Sequence, residues 1–251
     1  MNLTAYNSRR GIIPQSIRGG FSLIETVIAI GVVAVLLSGF LIVFAPAAKG
    51  IKDSINSKAA TRLVNTLEQE LVSLRGQNQV TTFGTGFDKA YDYIKESSRS
   101  NPANAILVYK YRASLSTNRS SDGTPAPVNN VDGLSPGEDY VVRNMMRRKG
   151  DPEFAIDVAA IEGPVYVVKC TQLILDNAGE MRPGTAGQIV NADEPATAVD
   201  NPDNYNHAVV AFVADFYSLP SRGATFFSSQ FDQLFPNLSR PAFSRNLAVR
   251  R

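Results

Sequence analysis

Between Thr26 and Ala48 the chain runs for 23 residues without a charge. In a helix rising about 1.5 Å per residue, such a run spans roughly 35 Å, more than the ~30 Å hydrocarbon core of a bilayer. One carboxylate, Glu25, stands at its mouth. An ionised group costs about 2.5–3.5 kcal/mol at the centre of a membrane helix and less near an end, so its presence there asks for a partner. Near a helix N-terminus Glu25 also meets favourable backbone N–H dipoles. The plainer alternative is therefore that Glu25 caps an ordinary signal anchor.

A cleavable secretory signal has an apolar region of about 7–15 residues followed by small residues at the cut. Here the small residues, Gly19 and Gly20, come first and the run is too long, which favours an anchored chain. Flanking charge leaves the orientation open. Arg9, Arg10 and Arg18 lie before the span, and Lys49, Lys52, Lys58 and Arg62 lie after it.

Gly20, followed by Phe21-Ser22-Leu23-Ile24-Glu25 and the apolar helix, resembles the processing site of type IV prepilins and of the pseudopilins of type II secretion systems. The likeness covers roughly residues 9–75 and is specific over Gly20–Glu25. The resemblance implies that a prepilin peptidase cuts after Gly20 and methylates the new amine of Phe21. It implies that the mature chain assembles with other pilin or pseudopilin subunits through its N-terminal helix, and that Glu25 pairs with the Phe21 amine of a neighbouring subunit. It also puts the leader in the cytoplasm and the bulk of the chain outside the cytoplasmic membrane. Many type IV pilins close a disulfide near the C-terminus. This chain has a single cysteine, Cys170, and departs from that pattern, which points to a pseudopilin or a divergent, minor or specialised subunit.

The organisation expected is a leader over 1–20, a transmembrane and assembly helix over 21–48, an amphipathic continuation over 49–76, and an extracytoplasmic domain over 77–251. Past Lys49, the residues Ile51, Ile55, Ala59, Leu63, Leu67, Leu71 and Leu74 recur at spacings of four and three, with Val64 alongside. That is one apolar stripe, with Lys52, Lys58, Arg62, Glu68, Glu70 and Arg75 opposite and Gly76 as a stop. A short helix is expected over 87–97 and strands over 105–114, 140–143, 153–161, 165–175 and 207–217. The Glu162-Gly163-Pro164 break reads as a turn pairing the third and fourth of these strands. Residues 115–139 and 177–203, rich in turn formers, read as loops. Phe226, Phe227, Phe231, Leu234 and Phe235 fit one side of a short helix, and the tail with Arg240, Arg245, Arg250 and Arg251 fits a solvated terminus. Helix first and strands after give an α+β fold: a long helix packed on an antiparallel sheet with long loops.

The formal charge is +2, and loss of the three leader arginines would bring it near −1, so no nucleic-acid partner is expected. There is no Gly-Lys-Ser/Thr phosphate loop and no G-x-S-x-G elbow, and His207 is the only histidine. The chain therefore reads as a structural protein without catalytic residues, metal or cofactor. Asp193, Glu194, Asp200 and Asp203, with Asn201 and Asn204, offer hard oxygen ligands suited to calcium, but acidic loops are more often solvated and no metal site is assigned to them. Cys170 lies in an apolar strand-like run that suits a buried small hydrophobe. His207 reads as a strand-edge residue. The other class considered is a single-pass, membrane-anchored binding protein that builds no filament; an enzyme carried on a pilin-like stem finds no supporting motif.

Overall fold

The computed structural model describes residues 22–176 and 178–251, apart from the side chains at 43, 45–57, 59 and 77. The chain divides into two units, Met1–Ile55 and Asn56–Arg251. Helix α1 (Leu23–Val72) contributes residues to both.

In the first unit the described part of α1 is apolar on every side. Leu23–Ile42 has a mean hydropathy of 2.3 and none of it is buried within the chain. Such a helix, hydrophobic all round, has no amphipathic face with which to lie on a core. By length and composition it can cross a membrane.

The second unit is α+β. It opens with the last turns of α1, then α2 (Gly76–Thr82) and α3 (Gly86–Ser97). The strands follow: β1 (Ile106–Ser114), β2 (Tyr140–Arg148), β3 (Ile161–Leu175), β4 (Met181–Pro183), β5 (Val190–Asn191), β6 (Glu194–Ala198), β7 (Val209–Ser218) and β8 (Phe243–Arg250). Helix α4 (Pro152–Asp157) interrupts them between β2 and β3, and α5 (Phe231–Leu234) lies between β7 and β8. The main sheet is antiparallel in the order β2-β1-β3-β7-β8, with β4 paired to β3, while β5 and β6 form a separate hairpin.

Both faces of the sheet are covered, as the long buried runs in β1 and β3 require. Leu63, Val64, Leu67 and Leu71 of α1 and Phe87, Tyr91 and Ile94 of α3 pack with Ile106, Val168, Phe212 and Phe216 on one side. On the other, Leu107, Tyr109, Tyr111 and Val167 pack with Phe154 of α4 and with Phe226, Phe227, Phe231 and Phe235. The apolar stripe of α1 thus holds over its last turns, whereas Ile51, Ile55 and Ala59 lie outside the described side chains. The aromatic run after residue 225 is helical as expected, beginning with a wide turn at Phe226–Gln230.

Helix α3 starts where the sequence demands it. Thr85 accepts from the Asp88 amide (3.1 Å) and Asp88 accepts from the Thr85 amide (2.8 Å), a reciprocal cap that satisfies two otherwise orphan donors. Gly86 at its first turn lies so close to the end of α1 that an added Cβ would sit 2.1 Å from the Val72 carbonyl oxygen.

Six expectations need correction. Segment 177–203 is not one loop, because β4 pairs with β3 and β5 pairs with β6 inside it. Residues 153–161 are not a strand. Pro152 presets the first helical φ, Glu153 favours the helix N-terminus, and Phe154 and Asp157 are buried one turn apart, giving α4 and a following tight turn. Glu162-Gly163-Pro164 is not a turn between strands but an irregularity inside β3. There the β1 register slips from Val108↔Tyr166 to Lys110↔Glu162, and Gly163 takes φ +71°. Helix α1 stops at Val72 rather than Gly76, which instead begins α2. Glu70 is buried rather than solvated, because Arg75 folds back onto it with Nε 2.8 Å from Oε2. The C-terminal tail is edge strand β8, paired with β7 from Val209↔Arg250 to Phe216↔Phe243.

Candidate functional site

Two of the three residues singled out by the sequence, Gly20 and Phe21, lie outside the described residues. Glu25 sits in the first turn of α1 and is exposed. Its backbone N–H donates to the Ser22 hydroxyl (3.2 Å), and the Thr26 amide donates to the Ser22 carbonyl (3.1 Å). This is how a serine ends a helix: its side chain takes one of the free amides of the first turn. The Ser22-x-x-Glu25 spacing is a capping signature present in the sequence itself. Among the described residues, the Glu25 carboxylate has no ion-pair partner.

The helix below that carboxylate is uniform. Gly31 and Gly39 have nothing within 4 Å of where a Cβ would stand, and the Ser38 hydroxyl donates back to the Ala34 carbonyl at 2.8 Å. Ser38 therefore satisfies its own donor within the helix, as a hydroxyl among apolar neighbours must. Small side chains at Gly31, Ala34, Ser38 and Gly39 permit close approach by another helix.

The remaining candidates separate in space. Asp200 is 79 % exposed and lies 3.5 Å from Lys95 Nζ and 3.8 Å from an Arg99 nitrogen, so it sits beside cations in and just after α3. Among the described residues no three carboxylate, histidine or cysteine side chains converge as a metal site would need. His207 precedes β7, and its Nε2 accepts from the Ala192 amide at 3.1 Å. Cys170 is buried in β3 with its amide held by the Ser97 hydroxyl (2.9 Å); burial pushes its thiol up to about 12, so it is a packing residue.

Sequence reasoning missed a buried ionic cluster. Arg147 Nε donates to Asp157 Oδ2 (2.7 Å), one terminal nitrogen donates to Asp122 Oδ2 (2.7 Å), and the other donates to the Thr124 hydroxyl (3.0 Å). The Tyr109 hydroxyl donates to the same Asp157 oxygen at 2.6 Å. Burial raises the Asp157 carboxyl above its ordinary value and outweighs its bonds to Arg147 and Tyr109. For Asp122 burial also acts upward, but bonds from Thr124 and Arg147 win and hold it below. The cluster fastens the loop around Asp122 to β2 and α4. No local pattern signals it, since its members come from four distant places in the chain.

Lys89 of α3 is the second unannounced charge. It is 2 % exposed, and its Nζ donates to the carbonyls of Glu70 (2.8 Å) and Ser73 (2.5 Å) at the end of α1. A cation over the last carbonyls of a helix satisfies orphan acceptors and suits the helix dipole. Desolvation lowers its pKa to about 8.

The chain is thus an α+β domain preceded by one apolar helix able to span a bilayer, with a carboxylate in that helix's first turn. No family model, curated protein or solved structure matches it.

Proposed function

We propose that this protein is a structural subunit, minor or specialised, of a type IV pilus or type II secretion pseudopilus. Prepilin peptidase would cleave between Gly20 and Phe21 and methylate Phe21. The mature chain would rest in the cytoplasmic membrane through α1, with its α+β unit outside, until drawn into a filament. The observation that carries this reading is the lone Glu25 carboxylate in the first turn of a helix otherwise apolar to Ile42. A carboxylate entering lipid is stabilised when it meets an ammonium, and cleavage after Gly20 would create one on Phe21 of the neighbouring copy, four positions before the acid in sequence. Ser22 supports the same reading by capping the helix at Leu23, so that α1 begins two positions after the proposed cut residue Phe21.

The test is Glu25→Ala, followed by terminal mass analysis and by recovery of subunits in sheared filaments. Cleavage and Phe21 methylation should proceed as in the parent, and incorporation should fall about tenfold or more, equivalent to losing ~1.4 kcal/mol of pairing. Normal incorporation would reject the pairing. A parent chain isolated from its host with Met1 in place and Phe21 unmodified would reject the whole reading and leave a tethered binding domain.

A further inference from the structure

The ladder between β3 and β7 ends at Gln172↔Phe212, although β3 runs on to Leu175 and β7 begins at Val209. Past that point β3 pairs with β4 instead, from Leu173↔Pro183 to Leu175↔Met181. The two strands fork, and the fork opens a cleft of about 350 Å³, closed at the side by the β5–β6 hairpin and the segment before β7. That is within the ordinary range for a small-molecule site.

The lining decides what such a cleft can hold. It includes Ile174, Leu175, Met181, Val190 and Val209, and no Asp, Glu, Lys or Arg. Leu175, Met181 and Val209 are 64 %, 55 % and 42 % exposed, apolar surface that the chain leaves uncovered at the mouth. Polar side chains on the wall are already engaged. Gln172 exchanges two bonds with the Val190 backbone (2.9 and 2.8 Å), the Tyr205 hydroxyl donates to the Val209 carbonyl (3.1 Å), and Asn191 bridges to Asn204 and Asn206. What remains to offer a ligand is apolar area and the half-buried His207 ring, which stands edge to face on buried Tyr205 at 5.4 Å. A charged guest would lose its hydration and find no counter-charge, whereas a neutral flat one would gain dispersion and ring contacts. We infer that the fork between β3 and β7 is a binding site for a small, uncharged aromatic molecule. This inference is independent of filament assembly.

Indole serves as the probe, because the chain contains no tryptophan and four methionines. The full chain in nanodiscs, labelled with ¹³C at methionine methyls, gives a local reporter in Met181, with buried Met145 and Met146 as internal controls. Indole should move the Met181 resonance saturably and leave Met145 and Met146 in place. The cation tryptamine and the anion indole-3-acetate should bind about tenfold more weakly or worse. Val209→Glu should abolish the shift; if it disturbs Met145 or Met146 and so the fold, Leu175→Glu at the more exposed rim replaces it. A Met181 resonance unmoved by indole, equal binding of the charged analogues, or a shift that survives a folded Val209→Glu or Leu175→Glu variant would each overturn the site.

Discussion

Helix α1 is made of two contrasting stretches under one backbone pattern. From Leu23 to Ile42 no residue is buried and every large hydrophobe faces outward; from Ala60 to Leu71 burial alternates with exposure, and Leu67 and Leu71 are fully enclosed. The intrahelical hydrogen bonds are of the same kind in both. The difference lies in what the side chains find. In the later stretch α3 and the sheet supply a dense partner, so the helix contributes to folding of the α+β unit. In the earlier one no described residue does, and the stretch has the length and composition that suit a bilayer. Hydrophobicity alone therefore does not mark a core; the period of the pattern does.

That contrast can be broken most severely at the junction of α1 and α3. Gly86→Val would drive side-chain atoms into the Val72 carbonyl, which an added Cβ already meets at 2.1 Å. The α+β unit should lose more than about 4 kcal/mol, read by denaturant unfolding in nanodiscs, with membrane extraction unchanged. A loss below about 1 kcal/mol would mean that the two helix ends part without cost.

A matched pair sharpens the comparison directly. Leu67→Ala removes a fully enclosed side chain and should cost about 2–5 kcal/mol. Leu36→Ala, at a position 67 % exposed, should change unfolding of the α+β unit by less than about 0.5 kcal/mol. Similar losses in both would show that the early stretch also packs on the domain.

The smallest effect is one of pH. The folded pKa of Lys89 is about 8 against an ordinary 10.5, so between those values the unfolded chain binds more protons. Stability should therefore rise as pH climbs from 8 toward 9, by up to about 1 kcal/mol at ~1.4 kcal/mol per unit. Above 9 the buried Cys170 thiol opposes the rise, and above 10 the buried tyrosines, raised by desolvation, turn it downward. Lys89→Met should flatten the 8–9 rise while lowering stability overall, because the Glu70 and Ser73 carbonyls lose their donor. A rise of undiminished slope in the variant would assign it to another group.

Much of this was legible from local pattern. The α1 stripe, α3, β1, the first four residues of β2 and the aromatic turn after residue 225 declare themselves by period and punctuation, while β2 runs on to Arg148. The tail did not, because Arg245 and Arg250 look solvated until β7 is beside them, and an edge strand keeps half its side chains in water. Segment 153–161 misled because β-branched and aromatic residues suggest a strand, while Asp151-Pro152 sets a helix start. At the candidate site, Glu25 was plain as the one charge against an apolar run. The Arg147 cluster and the fork between β3 and β7 had no sequence mark, since each joins residues far apart along the chain.

By itself, then, the sequence determined a helix too long and too uniformly apolar to be buried in this domain, the acid at its head, and the class of the domain behind it. Those are properties of neighbouring residues, fixed by hydration and by the geometry of one helix. Only tertiary structure decided that both sheet faces would be covered, that Lys89 would close the end of α1, and that two strands would part to leave an uncharged cleft. Each of these depends on which distant surfaces meet, and burial gives a side chain its meaning only once that meeting has occurred.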